Sequence, residues 1–316
     1  MGLAMNTESR ILLTGGHGFL GQNIYKELTR KGYKHVIVPT HSMFDLRDPE
    51  QVNNLMRWNP VDVIIHCAAH CGGIGLNKAK PADLFYDNMA MGLNLIHGAV
   101  RFGVKKFVQL GTVCEYPKHT PTPFVETNLW NGYPEETNAP YGIAKRALLV
   151  MGNAYRQQWG LNSIHILPVN LYGPGDNFND DSSHVIPALI KKLLMAKIAG
   201  KDEVVLWGSG NAFREFLYVD DAARGIVLAA EKYDSPEPIN LGIGQTISIR
   251  ALAELIASKM KFTGRLVFDT TQPDGQPLRC LDVTRATEFG FFAETDLSTG
   301  LDNTIAWYRD CDDEAV

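Results

Sequence analysis

Long apolar runs are missing from this chain. No stretch approaches the roughly 18 uninterrupted apolar residues that a membrane span requires. The opening Met1-Gly2-Leu3-Ala4-Met5-Asn6 lacks the apolar core of a secretion signal, and Asn6 stands where a myristoylation signal needs Ser or Thr. Cysteine is scarce too. Five scattered residues, an odd number, argue against a disulfide framework and for a reducing, cytoplasmic setting. Cys67 and Cys71 are four apart, but no second Cys/His pair at metal spacing accompanies them, so no metal site is expected. Neither sign of charge forms a long run. With 30 Lys+Arg against 35 Asp+Glu the net charge is -5, and no basic face of a nucleic-acid binder is visible. A phosphorylated small molecule remains compatible with this balance, held by local backbone and Arg/Lys contacts.

What is present is an alternation. Arg10-Ile11-Leu12-Leu13-Thr14 reads as a short buried strand, followed by helical spacing over 18–30 and a second strand over 35–38. Residues 49–58 form a helix with Asp48 as N-cap and Pro49 in its first position. A strand over 61–66, a long helix over 82–102, a strand over 106–110, a helix over 141–159 and a strand over 163–167 follow. Alternating strands and helices imply crossover units and a parallel sheet, and nearly all-apolar strands imply helices on both faces. After Pro168 the pattern loosens into loops rich in Gly, Pro, Asn and Asp. A helix over 184–199, a strand over 204–207 and a further core strand over 238–242 remain legible. The expected fold is α/β: a doubly wound parallel sheet with a smaller C-terminal α/β lobe. The dinucleotide-binding domain would span 1–170, completed by 215–245. The substrate lobe would comprise 171–214 and 246–316.

The first strand runs into Gly15-Gly16-His17-Gly18-Phe19-Leu20-Gly21. Between a strand and a helix, this spacing gives a tight turn at Gly15, backbone approach to a pyrophosphate at Gly18 and close helix packing at Gly21. The helix N-terminus offers N–H donors to phosphate. At the end of the second strand stands Pro39-Thr40-His41-Ser42 rather than the carboxylate that binds a ribose 2′-hydroxyl. His41 and Ser42 are suited to donating to a 2′-phosphate, so NADP(H) is favoured over NAD(H), although no arginine is visible there.

Tyr141 and Lys145 lie at i and i+4 on one helix face, and Pro140 precedes that helix. A lysine ammonium is expected to draw the phenol down from its ordinary pKa near ~10, toward the range useful in acid–base catalysis. Thr112 falls just past the strand over 106–110, at the edge where open parallel sheets place their sites. By itself Cys114 reads as a buried thiol, His184 as a residue opening a helix, and Trp207 as core or ligand packing.

The glycine turn, His66-Cys67-Ala68-Ala69, Thr112 and Tyr141…Lys145 together resemble the extended short-chain dehydrogenase/reductases. Within them the resemblance narrows to the GDP-L-fucose synthase family. It is carried by Gly72-Gly73-Ile74, Cys114-Glu115-Tyr116-Pro117-Lys118, Asn138-Ala139-Pro140-Tyr141, Asn170-Leu171-Tyr172-Gly173-Pro174-Gly175-Asp176-Asn177, Ser183-His184, Trp207-Gly208-Ser209-Gly210, Arg214-Glu215-Phe216 and Pro273-Asp274-Gly275, in the family's order along nearly the whole chain. The resemblance implies an NADPH-dependent epimerase-reductase acting on GDP-4-keto-6-deoxy-D-mannose. Cys114 and His184 would be base and acid, and Thr112, Tyr141 and Lys145 would complete the catalytic set. Cofactor contacts would come from the glycine turn with His41, Ser42, Asp45, Leu46, Ala68, Ala69, Leu110, Lys145, Pro168, Asn170, Leu171 and His184. Lys192, Trp207, Arg214, Asp274 and Arg279 would hold the nucleotide sugar, with Lys192 where relatives usually carry Arg. Glu115 replaces an apolar residue beside Cys114, and that carboxylate is expected to act on the thiol or on a sugar hydroxyl.

Two other readings stand beside this one. The chain would otherwise be a single-step 4-reductase or an epimerase on another nucleotide sugar, such as a GDP-deoxyheptose, or else a non-catalytic NAD(P)-binding module. The helices over 82–102 and 141–159 are apolar around much of their girth, and Leu84, Met91, Leu148 and Met151 are expected to pair with a twofold mate in a homodimer. The cofactor inference has a direct measure: Kd for NADPH should be lower than for NADH, and NADH binding about tenfold more tightly would overturn it.

Overall fold

Helix starts follow the local chemistry. The Asp48 carboxylate accepts from the Glu50 and Gln51 backbone N–H groups at 2.8 and 3.4 Å, capping the helix that Pro49 opens. In the computed structural model, which describes residues 5–180, 182–272 and 274–313, the chain begins β1 (Arg10–Thr14), α1 (Phe19–Arg30), β2 (His35–Ile37), α2 (Pro49–Trp58), β3 (Val63–His66), α3 (Ile74–Ala79), α4 (Pro81–Arg101), β4 (Lys106–Leu110), α5 (Ala139–Trp159) and β5 (Asn162–Pro168). It continues through β6 (Asn170–Tyr172), α6 (Val185–Ile198), β7 (Glu203–Trp207), β8 (Phe213–Arg214), β9 (Phe216–Tyr218), α7 (Val219–Lys232), β10 (Ile239–Leu241), β11 (Ile247–Ser248), α8 (Ile249–Lys259), β12 (Arg265–Asp269), α9 (Thr284–Glu288) and α10 (Leu297–Asp313). Residues 1–4 and Pro273, both used in the sequence reading, lie outside the described residues.

Six strands form one sheet in the order β10-β5-β4-β3-β1-β2, and every pairing is parallel. This is a doubly wound sheet: the chain turns to β2 on one side of β1 and then to β3 on the other, opening a crevice at their carboxyl ends. Alternation along the strands divides the core. Ile11, Leu13, Ile65 and Val108 pack with Ile24, Leu28 and Ile226 of α1 and α7, whereas Leu12, Ile64 and Phe107 pack with Leu95, Ile96 and Leu148 of α4 and α5. A second apolar centre gathers Ile190, Leu193, Leu206, Leu252, Ile256 and Leu301 around the two-stranded β7–β12 sheet.

The structure differs from the sequence reading in four places. The helix expected from residue 141 begins at Ala139, so Pro140 lies inside its first turn, where a missing N–H has no cost. Leu84 and Leu148, expected on an outer face, are buried within the chain. A Cβ on Gly92 would collide with the Leu148 side chain, so α4 and α5 pack too closely to leave it outside. The exposed large apolar residues of these two helices are instead Phe85, Tyr86, Leu93, Val150 and Trp159. The sequence reading assigned none of the short strands β6, β8, β9, β11 and β12 nor the helices α3 and α7–α10.

The glycine turn is closed by contact. Gly15 has φ +71°, and a Cβ there would meet Ala68 N at 2.6 Å, while one on Gly21 would run into the Gly15 carbonyl. A Cβ on Gly18 would meet only Gly15 O, at 3.3 Å. Gly21→Val is therefore expected to lower Tm by several degrees in a circular-dichroism melt, and Gly18→Ala by distinctly less. Equal effects would show that the turn and α1 are free to separate.

Candidate active site

A cleft of about 1640 Å³ opens over the carboxyl ends of β1, β3, β4 and β5 and reaches the edge of β7 and the N-terminal turns of α6. At its floor Thr14 Oγ1 and His66 Nδ1 are 2.8 Å apart, joining β1 to β3 where the sheet changes direction. Burial drives His66 well below the usual histidine range, so it stands there as a neutral link.

One end of the cleft fits a dinucleotide. Gly15, His17, Gly18, Phe19, Leu20 and Gly21 line it, with Ala68, Ala69, Leu110, Pro168, Asn170 and Leu171. Gly18 caps α1 without a side-chain hydrogen bond, which leaves the first N–H groups of a 12-residue helix free to meet a phosphate. Gly16 lies off the wall, where a Cβ would meet Val38 Cγ1 at 2.5 Å, so its role is packing between β1 and β2. Ser42 is also off the wall; its hydroxyl lies 3.0 Å from Thr40 Oγ1.

His41, Asp45 and Leu46 do line this end, and so does Arg47, which the sequence reading passed over. Arg47 is held by Asp45 at 2.7 Å and by Asp87 at 3.1 Å, and His70 Nδ1 approaches the second carboxylate at 2.8 Å. The guanidinium holds the Asp45 carboxyl down at about 2. Arg47 is thus an anchor of the wall, fixed by two carboxylates.

The middle of the cleft gathers Thr112, Cys114, Tyr141, Lys145 and His184. Thr112 stands just past β4 and caps a 3₁₀ turn over Val113–Glu115, its Oγ1 accepting from Cys114 N–H at 3.2 Å. Its own O–H stays available for a ligand oxygen. Lys145 donates to the Leu110 carbonyl at 3.0 Å and lies 5.9 Å from the Tyr141 ring centre.

The expected lowering of Tyr141 is reversed. Burial drives it well above the usual tyrosine range, and the nearby thiols Cys71 and Cys114 and the Glu115 carboxylate add to this. Burial also lowers Lys145, opposed by Cys71, Glu115 and Cys67. Tyr141 therefore stands as a neutral phenol, a proton donor. His184 opens α6 with its side chain unspent on capping, and desolvation lowers its affinity for a proton.

At the far end Lys192 Nζ sits 5.7 Å from the Trp207 ring centre, and that indole is 70% exposed. Arg214 donates to Phe213 O at 2.8 Å, and burial, then the charge of Arg279, lowers it to about 10. Asp274 lines the cleft, but its oxygens are taken by Ser209 N and Oγ, both at 2.6 Å. Arg279 reaches Cys114 Sγ at 3.9 Å and receives support from Gln276 Oε1 at 2.7 Å. Gln276 in turn donates to Lys118 O at 2.5 Å, tying this loop to the segment after Cys114. Gln276 had no sequence signal, because a single amide in a loop matches no pattern, and Cys71, weighed in the sequence only beside Cys67 as a metal pair, is a further thiol on the wall.

Comparison with known proteins gives a consistent picture. The NAD dependent epimerase/dehydratase family matches residues 11–242. GDP-L-fucose synthase 1 of Arabidopsis thaliana is 39% identical over 300 residues, covering 95% of this chain and 93% of the relative. Among solved structures, a gdp-l-fucose synthetase from Naegleria fowleri bound to NADP superposes with a TM-score of 0.90 at 29% identity, covering 98% of this chain and 97% of the other. A GDP-6-OMe-4-keto-L-xylo-heptose reductase from C.jejuni gives 0.92 at 26% identity, covering 98% and 100%.

Asp176, in the Gly-rich loop after β6, has a testable electrostatic role. It is 7% exposed; one oxygen accepts from Asn177 N–H at 2.7 Å and the other is buried without a partner among the described residues. Desolvation raises it from 3.8 to about 7. A carboxyl raised on folding stabilises fully below its unfolded value, and that contribution fades as pH rises through the folded one. Asp176→Asn should therefore leave Tm nearly unchanged at pH 4 and raise it at pH 8, by an amount equivalent to a few kcal/mol at most. A gain of the same size at both pH values would refute this.

Proposed function

The chain belongs to the NAD dependent epimerase/dehydratase family, with GDP-L-fucose synthases among its relatives, and from that premise we propose that it is an NADPH-dependent epimerase-reductase converting GDP-4-keto-6-deoxy-D-mannose to GDP-L-fucose. One observation carries the proposal: Thr112, Cys114, Tyr141, Lys145 and His184 line one cleft, between the glycine turn and the Lys192–Trp207–Arg214 end. We read 171–214 with 246–316 as the lobe that holds the nucleotide sugar.

The substrate ketone acidifies C3 and C5. As a thiolate, Cys114 takes a proton from one face of each carbon, and the His184 imidazolium returns one from the other, inverting the centre; exchange with solvent resets both groups between the two inversions. The anionic diphosphate of the substrate favours the imidazolium that this step requires. Thr112 O–H and Tyr141 O–H donate to the oxygen on which negative charge collects, as an oxyanion hole does. Bound NADPH supplies the hydride for C4. Tyr141 then gives its phenolic proton to the same oxygen, and Lys145 stabilises the phenolate left behind. Arg214 supplies paired donors for diphosphate, and Trp207 a flat apolar surface for base or sugar. Lys192 offers a point charge rather than a fork, which makes its grip on phosphate less directional.

The reading includes a cytoplasmic homodimer. Phe85 and Leu93 on α4 and Val150 on α5 are exposed large apolar side chains that a twofold copy would cover. No described helix is long and apolar enough to cross a membrane.

The test is turnover in deuterated water. The wild-type chain should incorporate deuterium at C3 and C5 and consume NADPH. Cys114→Ser should depress incorporation by roughly a hundredfold. Tyr141→Phe should stop NADPH consumption while Kd for NADPH changes little. Reduction without exchange at either carbon would select the single-step reductase, the activity named for the C.jejuni relative.

A further inference from the structure

Glu115 follows Cys114 directly, yet its side chain turns from the cleft into the interior. It is fully buried, and His165 on β5 is 2% exposed. Glu115 Oε1 accepts from Thr112 N–H at 2.9 Å, and the carboxylate oxygens lie 2.9 and 3.1 Å from His165 Nε2. Thr112 Oγ1 then holds Cys114 N–H. From α5, Arg146 donates to the Glu115 carbonyl. A Cβ on Gly111 would collide with the imidazole and the carboxylate together, and Gly111 N–H is fixed to Ile166 O at 2.8 Å. The turn that carries Thr112 and Cys114 is therefore tied to β5 by the Gly111 N–H and, through side chains, by the buried Glu115–His165 pair. Tyr141 and Lys145 belong to α5, which also supports the backbone of this turn: Arg146 holds the Glu115 carbonyl, and a Cβ on Gly142 would collide with the Cys114 carbonyl. In the proposed mechanism Cys114 acts only in inversion and Lys145 only in reduction, and the Glu115 side chain touches the turn of Cys114 alone.

Stability does not explain the pair. A buried acid–imidazole contact loses hydration on both sides and gains little over apolar residues of the same size. His165 Nδ1 is also left buried without a partner among the described residues. What the pair adds is direction, because a carboxylate is a stronger acceptor for the Thr112 N–H than a neutral oxygen.

We propose that Glu115 and His165 are positioning residues that aim Thr112 Oγ1 and Cys114 Sγ, so that they govern inversion at carbon more than reduction at C4. This rests on the epimerase-reductase reading. It also replaces the expectation that Glu115 acts directly on the thiol or on a sugar hydroxyl, since its carboxylate faces Thr112 N–H and His165.

The experiment compares wild type with a Glu115→Ala/His165→Leu double variant, which restores apolar packing, and with Glu115→Gln, which keeps an oxygen for Thr112 N–H. Two quantities are read: hydrogen exchange of the backbone amides over 112–115, and the fraction of product reduced at C4 without inversion. The double variant should lose about tenfold in protection at Thr112 and raise the uninverted fraction by about tenfold, since misaiming by an ångström costs up to about a hundredfold in rate. Kd for NADPH should change less than about twofold. Glu115→Gln should move both readouts in the same direction, by less; if the double variant does not fold, this single variant decides. Unchanged protection overturns the clamp. Inversion and reduction falling in parallel overturn the positioning role. A wild-type chain that makes no inverted product defeats the epimerase reading instead, and the exchange measurement then decides the clamp alone.

Discussion

Gly15 meets the backbone of Ala68, and Gly21 sits on the Gly15 carbonyl. This contact between the first turn, the end of β3 and the first turn of α1 sets the height of everything above the sheet. With any side chain interposed, α1 would lift away and its free N–H groups would no longer face the crevice beside β1 and β3. The Thr14–His66 hydrogen bond locks the same two strands just below, and its neutral histidine leaves no unpaired charge at the sheet's edge.

From that fixed edge β4 and α5 carry side chains that face the middle of the cleft. β4 ends in Leu110, whose carbonyl takes the Lys145 ammonium, and the next residues turn through Thr112 and Cys114. α5 brings Tyr141 in from the side. Burial decides the electrostatics: desolvation, reinforced by the neighbouring thiols and Glu115, raises Tyr141 and keeps it a protonated phenol rather than a phenolate. That state suits a residue that gives up a proton as a ketone is reduced. Thr112, Cys114, Tyr141, Lys145 and His184 all line a single cleft.

The far wall has a different character. Lys192, Trp207, Arg214 and Arg279 come from α6, β7, β8 and a loop after β12. They approach Cys114 through the Arg279 guanidinium and through Gln276, which holds the loop to Lys118. The loop after β12 is therefore joined to the turn bearing Cys114.

Much of this was legible in the amino-acid order alone. Near-continuous apolar strands such as Leu12-Leu13 and Ile64-Ile65 require cover on both faces, and the glycine spacing admits few turns, so the parallel sheet and the dinucleotide end follow from local physics. Tyr141 and Lys145 share a helix face by periodicity. Other features needed the folded chain. Glu115 reads as an acid beside a thiol, but β5 places His165 beneath it and turns the carboxylate inward. Arg47 went unremarked in the sequence, and it takes Asp87, 40 residues on, to close on it in the fold. Leu148 looks like interface until Gly92 lets α4 approach. Hydrogen bonding and desolvation act over a few ångströms in space, whereas sequence spacing reports neighbours only within one helix or one strand. Partners that meet across elements are therefore decided by the tertiary structure.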